Sequence, residues 1–247
     1  MRSSLGIVAS SRVRAGAGAE VPTTGLRSHY EARLETGYTN GDALATIEDQ
    51  TSGAHDLTQG TPSLQPTWRS ADGPNAQPCF RFDGTDDFIA QQFTAVEPHT
   101  LVVVVSSAAE SSTRRWPFVT HATTSNILAL TEGVTASEFG TFVRTTGTGG
   151  GTSEQTTSSV DTRDWCVLEV TWTGTDAEFY RNGTLVNSVA RGGAGIPCST
   201  VAMGRQLSVA GQAFAGDIAF AGVWTTAFGS TARAEMSAYT QAHYGIG

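Results

Sequence analysis

The stretch PCFRFDGTDDFI, residues 78–89, decides how the rest of the chain is read. Phe80 and Phe82 alternate with Arg81, the two-residue period of a strand with one buried face. Asp83-Gly84-Thr85-Asp86 follows, and Asp-Gly between aromatic residues predicts a hairpin turn, after which Phe88 and Ile89 return the chain to a core. Three carboxylates, Asp83, Asp86 and Asp87, crowd this turn. Converging on a cation or a substrate, they would form a metal or catalytic cluster. Accepting backbone N–H groups, they would shape the turn and nothing more, which is the expected role.

Around this stretch the composition is that of an all-β chain with many turns: 247 residues, 28 of them Gly, and only 15% charged. The length predicts one domain over residues 27–247 with an extended arm over 1–26, since sandwiches often run to about 200–250 residues as one unit. Such a domain builds a full core without disulfides or metals. A formal net charge of −8 argues against nucleic acid, whose phosphates call for a basic patch; the pair Arg114-Arg115 reads as part of an exposed loop. All 15 basic residues are Arg, a composition that suits a GC-rich genome such as an actinobacterium or one of its viruses. Cys79, Cys166 and Cys198 are widely spaced, with no Cys-x-x-Cys or Cys/His metal pattern. They imply no disulfide framework, although one bridge stays open.

No run approaches the ~18 apolar residues that a spanning helix needs. The first 20 residues carry one short apolar piece, residues 5–9, closely followed by Arg12 and Arg14, and so do not read as a signal peptide. Residues 1–26 are rich in Gly, Ala, Ser and Thr, as an arm that gains order against a partner would be. Further on, Asp49 and Ser52-Gly53 predict a turn between two short strands, with Leu44, Ile47 and Leu57 buried. Residues 60–78 hold four of the eight prolines and predict a surface loop. TLVVVVS, residues 100–106, predicts a strand buried on both faces. Shorter strands are expected over 116–121, 127–130 and 139–145, then a polar flexible loop over 146–159. WCVLEVTW, residues 165–172, sets Cys166, Leu168, Val170 and Trp172 on one face, and Asn182-Gly183 marks the next hairpin. Residues 230–244 predict the one helix, with Ser230 as N-cap, Met236, Tyr239 and His243 along one face, and Gly245 as its stop.

Four of these stretches, in this order, resemble the concanavalin A-like lectin/glucanase superfamily in its laminin-G-like branch. They are FRFDGTDDFI (80–89), the Gly41-Asp42 to Leu57 segment with its Thr51-Ser52-Gly53 turn, YRNGTL (180–185), and FAGDIAFAGVW (214–224) leading to the closing YTQAHYGI (239–246). Ile47-Glu48 stands where the family usually has Trp before Asp49. The resemblance implies an all-β, two-sheet antiparallel jelly-roll sandwich with a short C-terminal helix. It also implies a lectin-like domain of the kind found in bacteriophage minor tail and head-decoration proteins.

The chemistry legible in the residues is sparse. The β-glucan-cleaving enzymes of the superfamily use a strand motif resembling E-x-D-x-x-E, and this chain has no such spacing. Glu169 and Glu178 on neighbouring strands are the one candidate acid/base pair, and two solubilising sheet carboxylates are the plainer expectation. His29, His55, His99, His121 and His243 are scattered, without zinc-ligand spacing. There is no G-x-S-x-G elbow and no phosphate-cradling loop. For calcium, which some laminin-G-like sandwiches bind at a loop rim, Asp49, Asp86, Asp87 and Asp217 are the right residue type, but no motif supports a site and no cofactor is expected. Trp116, Trp68 and Tyr38 lie near predicted loops, where aromatic rings could serve a sugar. Trp165, Trp172 and Trp224 read as core. No catalytic, ligand-binding or metal residue is assigned.

Fold alone does not settle function, and three classes stay open. The first is a non-enzymatic virion protein, a phage tail or capsid decoration. Its arm would dock on other virion proteins within a homo-oligomer, and its lectin-like domain would meet host glycans. The second is a secreted bacterial carbohydrate-binding module, and the third a glycan hydrolase or lyase. Neither nucleic-acid binding nor membrane insertion is expected.

Overall fold

The computed structural model describes residues 19–108, 113–123, 126–133, 138–144, 152–156, 163–190, 196–207 and 211–247. In chain order the strands are β1 (Leu26–Glu31), β2 (Thr46–Ile47), β3 (Leu57–Thr58), β4 (Thr67–Arg69), β5 (Cys79–Asp83), β6 (Ile89–Val96), β7 (Thr100–Ser107) and β8 (Arg115–Thr123). There follow β9 (Asn126–Glu132), β10 (Phe139–Arg144), β11 (Thr152–Thr156), β12 (Cys166–Trp172), β13 (Asp176–Arg181), β14 (Thr184–Ala190), β15 (Cys198–Met203) and β16 (Ala215–Trp224), then the helix α1 (Ser230–Tyr244). The first sheet runs β14-β13-β12-β7-β16-β5-β4, and β1 shares the far edge of β16 with β5. The second runs β11-β10-β9-β8-β15-β6-β3-β2. Every pairing between these strands is antiparallel, and the two sheets make a jelly-roll sandwich.

Alternation explains what each face buries. Leu101, Val103 and Val105 of β7 point between the sheets, beside Leu168 and Val170 of β12 and across from Phe118, Leu128 and Leu130. Val102 and Val104 point the other way, into a second apolar layer with Phe220, Trp224, Met236, Tyr239 and Tyr244. The continuous β-branched run is therefore buried on both faces because α1 covers the outside of the first sheet. The helix is fastened by a polar core. Glu31 is fully buried and accepts bonds from Tyr239 and Tyr244 hydroxyls, both at 2.6 Å, from the Arg33 guanidinium, and from the ring of His29 at 3.0 Å.

The structure amends the sequence reading in three places. The stretch 78–89 is not a hairpin: β5 lies in the first sheet and β6 in the second, so the acidic turn carries the chain across the sandwich. Phe82 and Ile89 both point into the same core from opposite sheets, which their spacing alone could not distinguish from a hairpin. The helix is capped by Gly229, with Ser230 its first residue, and its N-cap side-chain bond is absent; Gly245 ends it at φ 70° as expected. The polar segment 146–159 contains a strand, β11, whose backbone satisfies the edge of β10 from Gly140 to Arg144.

Of the arm, residues 1–18 lie outside the described residues. Ala19 to Gly25 are held by the domain itself: Trp224 Nε1 donates to the Pro22 carbonyl at 2.7 Å, Thr226 Oγ1 to that of Thr24 at 3.0 Å, and the His243 ring meets the Ala19 carbonyl at 3.2 Å.

Candidate functional site

The acidic turn is built by its own carboxylates. Asp83 Oδ1 accepts the N–H groups of Thr85, Asp86 and Asp87, and Asp87 Oδ2 accepts that of Asp83 at 3.0 Å. One carboxylate oxygen from each of Asp83, Asp86 and Asp87 lies within 4.8 Å of the others, but the bonds just described account for the cluster. Burial, with the charges of Asp83 and Asp86, raises the Asp87 pKa to about 6. The other residues considered for calcium are engaged elsewhere. Asp217 forms a two-pronged ion pair with Arg81 at 2.7 and 2.8 Å. Asp49 accepts bonds from His29, Thr51 and His55 and shapes its own turn. The three cysteines are buried and unpaired.

Glu169 and Glu178 do come together, through Arg233. Its Nε donates to Glu169 Oε1 at 2.8 Å, and its Nη2 to Glu178 Oε2 at 3.1 Å. The guanidinium lies 3.7 Å over the ring of Tyr180, whose hydroxyl donates to Glu178 at 2.8 Å. Glu169 is 5% exposed and not the surface carboxylate its strand position suggested, because α1 covers it. A glycosidase needs two carboxyls facing each other across open space of about 5–9.5 Å. Here a cation fills the space between them and ties the helix to β12 and β13. The small notch beside them is lined by Val167, Asn182, Met236 and Thr240.

The aromatic candidates are not exposed platforms. Trp116 is 2% exposed and its Nε1 donates to Gln212 Oε1 at 2.7 Å. Trp68 packs on the core and donates to the Ala32 carbonyl at 3.1 Å. Tyr38 is half-buried and donates to the carbonyl of Thr46 at 3.1 Å. Trp116 nevertheless marks a distinct feature. With Val119, Ile127, Ala129, Phe142 and Ala202 it forms a third apolar cluster, on the outer face of the second sheet. The registers Thr200↔His121 and His121↔Ile127, with Ala202↔Val119 and Ala129↔Phe142 one step along, place these side chains on one surface.

Polar groups without partners stand in that surface. His121 is 6% exposed and neither ring nitrogen has a hydrogen bond; the hydroxyl of Thr131 on β9 is also buried and unbonded. Burial lowers the His121 pKa, so the ring is neutral, with one N–H to give and one nitrogen to accept. Along the same sheet guanidiniums lie on rings: Arg114 at 4.8 Å from the Phe142 centroid, Arg144 at 5.5 Å from the same ring, and Arg205 at 4.2 Å from Phe88. The cluster is covered, its apolar members being 0–3% exposed, so this face is the candidate binding site only for a ligand that displaces what lies over it. Sequence reasoning missed it because its residues are spread over four strands, none supplying more than three. The usable signal was His121, the one titratable side chain in the stretch 116–121.

No protein-family model matches the sequence, and no curated protein does. The fold is similar to that of solved structures. Trypanosoma rangeli sialidase in complex with sialic acid matches with TM-score 0.63 at 14% identity, over 92% of this chain and 35% of that one. The binding domain of Paraclostridial Mosquitocidal Protein 1 matches with TM-score 0.61 at 11% identity, over 86% and 52%. Domain 4 of AbnA, a GH43 extracellular arabinanase from Geobacillus stearothermophilus in complex with arabinotriose, matches with TM-score 0.58 at 13% identity, over 86% and 98%. At these identities the likeness shows the sandwich fold and no more; the chain spans 35% of the sialidase and 52% of the mosquitocidal binding domain.

Proposed function

We propose that this chain is a lectin-like domain of laminin-G-like type that binds carbohydrate without transforming it, on the outer face of the second sheet. The observation that carries the reading is that face: His121 and Thr131, buried with polar atoms unbonded, in an apolar floor rimmed by guanidiniums. Buried polar groups without partners cost free energy, and a hydroxylated ligand that took the place of what covers them would supply both donors and acceptors. The arabinotriose-bound module of similar length gives the reading a structural precedent in fold. Arg233, which ion-pairs both Glu169 and Glu178, argues against that candidate pair as a catalytic acid and base.

We place the domain on a virion surface, as a bacteriophage tail or capsid decoration in which the arm docks on other virion proteins. Supporting this, Ala19 to Gly25 are fastened beside α1, on the side of the sandwich opposite the candidate face, so docking and binding would not compete. The same geometry would serve a secreted binding module, and labelled antibody on native particles separates the two. The test of the function itself is a glycan array probed with the whole chain, followed by chromatography of any bound glycan after long incubation. Binding with an unchanged ligand is expected. An array with no signal would refute the glycan reading, and cleavage products would refute its non-enzymatic part.

A further inference from the structure

β14 ends the first sheet and pairs with β13 along one side; among the described residues nothing pairs with its other side. An unpaired strand edge offers a row of N–H and C=O groups to any chain that can align with it, and proteins guard such edges with charge, proline or brevity. The other edges of this sandwich are guarded in that way. β2 and β4 have two and three residues, β11 carries Glu154, and β1 carries Arg27. β14 differs: it is seven residues long, Thr-Leu-Val-Asn-Ser-Val-Ala, with no charge and no proline. Leu185 at 49% and Val186 at 40% are the exposed large hydrophobic residues of the described chain, and both stand on this strand. Its one guard is a bulge opposite the step from Phe179 to Tyr180, which makes Val186 the extra residue without covering it.

Charge and sequence point to a second copy of this chain as the occupant. With a net charge of −8, two copies repel over most of their surface, whereas this strand is neutral. Behind it, β13 sets Arg181 opposite Thr184 at the hairpin end and Asp176 opposite Ala190 at the other. Antiparallel pairing about Asn187 lays the Arg181 end of one copy beside the Asp176 end of the other, at both ends of the strand. Parallel pairing would bring like charges together. These charges lie three strand spacings apart, about 14 Å, so they orient the encounter and do not lock it. In the antiparallel register Leu185 stands opposite Val189 of the second copy, and Asn187 opposite Asn187, an apolar pair and an amide pair.

We propose that β14 is a homodimer edge: two copies pair antiparallel along Thr184–Ala190 and join their first sheets into one. This pairing stands independently of the glycan reading. Its twofold axis is perpendicular to the joined sheet, which keeps both α1 helices on one side and both second sheets on the other. The two candidate faces then point the same way, so an array of ligands on a surface meets both at once. A seven-residue edge buries less than the ~800 Å² per partner of a standard interface, so the dimer is weak and forms at high concentration.

Sedimentation velocity of the whole chain over roughly 1–500 μM reads the association. Asn187→Lys and Asn187→Asp, at an exposed position, are run beside it with melting temperatures as a folding control. The parent's sedimentation coefficient is expected to rise with concentration toward that of a dimer. Each variant sets like charges opposite one another at the axis and should weaken association about tenfold or more, while an equal mixture of the two restores it. A parent that stays monomeric throughout overturns the proposal and leaves this edge to a strand of another protein. Association that both variants keep overturns β14 as the interface. Folded variants that lose association and do not regain it on mixing overturn the antiparallel self-pairing.

Discussion

Arg233 stands between two carboxylates that would otherwise be an attractive pair for acid/base chemistry. Glu169 is held high in pKa by burial, a cost that Arg233 and Thr171 offset through direct bonds. Removing the cation leaves a buried charge without its counter-ion, held only by the Thr171 hydroxyl, a situation that costs about 3–5 kcal/mol. Arg233→Ala should therefore lower the urea midpoint steeply. Adding Glu169→Gln and Glu178→Gln to it should recover most of the loss, because the buried charges go with the cation. If the triple variant were as unstable as the single one, the stabilising role would belong to the packing of Arg233 on Tyr180 and not to the ion pairs.

At the scale of elements, two glycines in left-handed backbone show how differently turns depend on sequence. Gly183 has φ 72° in the Asn182-Gly183 hairpin and open space where a Cβ would stand, so Gly183→Ala bears conformational strain alone, about 1 kcal/mol. Gly84 has φ 78° in the crossing turn, and a Cβ there would collide with Ala215 on β16. Overpacking adds ~1–3 kcal/mol, so Gly84→Ala should destabilise by about 2–4 kcal/mol. Denaturant midpoints of the two variants measured together check the order, and equal losses would mean that the crossing turn simply shifts aside. Both glycines were legible as turn residues, and so were the doubly buried β7 and the helix, because period and turn chemistry are local. Whether Asp83-Gly84 joins two strands of one sheet or two sheets is not local: it depends on which edges β5 and β6 find. The candidate face was hidden for the same reason. His121, Thr131 and Phe142 come to one face of the second sheet only through the registers of β8, β9 and β10, and no short window of sequence contains them. Glu169 misled because its burial comes from a helix more than sixty residues away in the chain.

Across the whole molecule, buried carboxylates pull stability in two directions as pH changes. Glu31 is the acid-side group. Burial alone would raise its pKa, but His29, Arg33 and Tyr239 bring it down from 4.5 to about 2. Its folded pKa lies below the unfolded one, so its contribution is present above about pH 4.5 and is lost as pH falls toward 2, worth about 3 kcal/mol at 1.36 per unit. Glu132 and Glu35 act oppositely: burial, first among the causes, raises both from 4.5 to about 7. Here the folded state holds protons that the unfolded chain has released, so stability falls as pH climbs from 4.5 through 7. Asp87, raised to about 6, adds to the same side. The thermal midpoint should therefore peak near pH 4.5–5 and decline toward pH 8, unlike a protein whose carboxylates are all ion-paired. Glu132→Gln isolates one term, because the amide oxygen still accepts the Ser107 hydroxyl while the buried charge is gone. It should raise the midpoint at pH 8 and leave it nearly unchanged at pH 4, flattening the basic limb. A parent profile that rises from pH 4.5 to pH 8, or a variant that gains equally at both ends, would show that Glu132 is not the group that titrates against the fold.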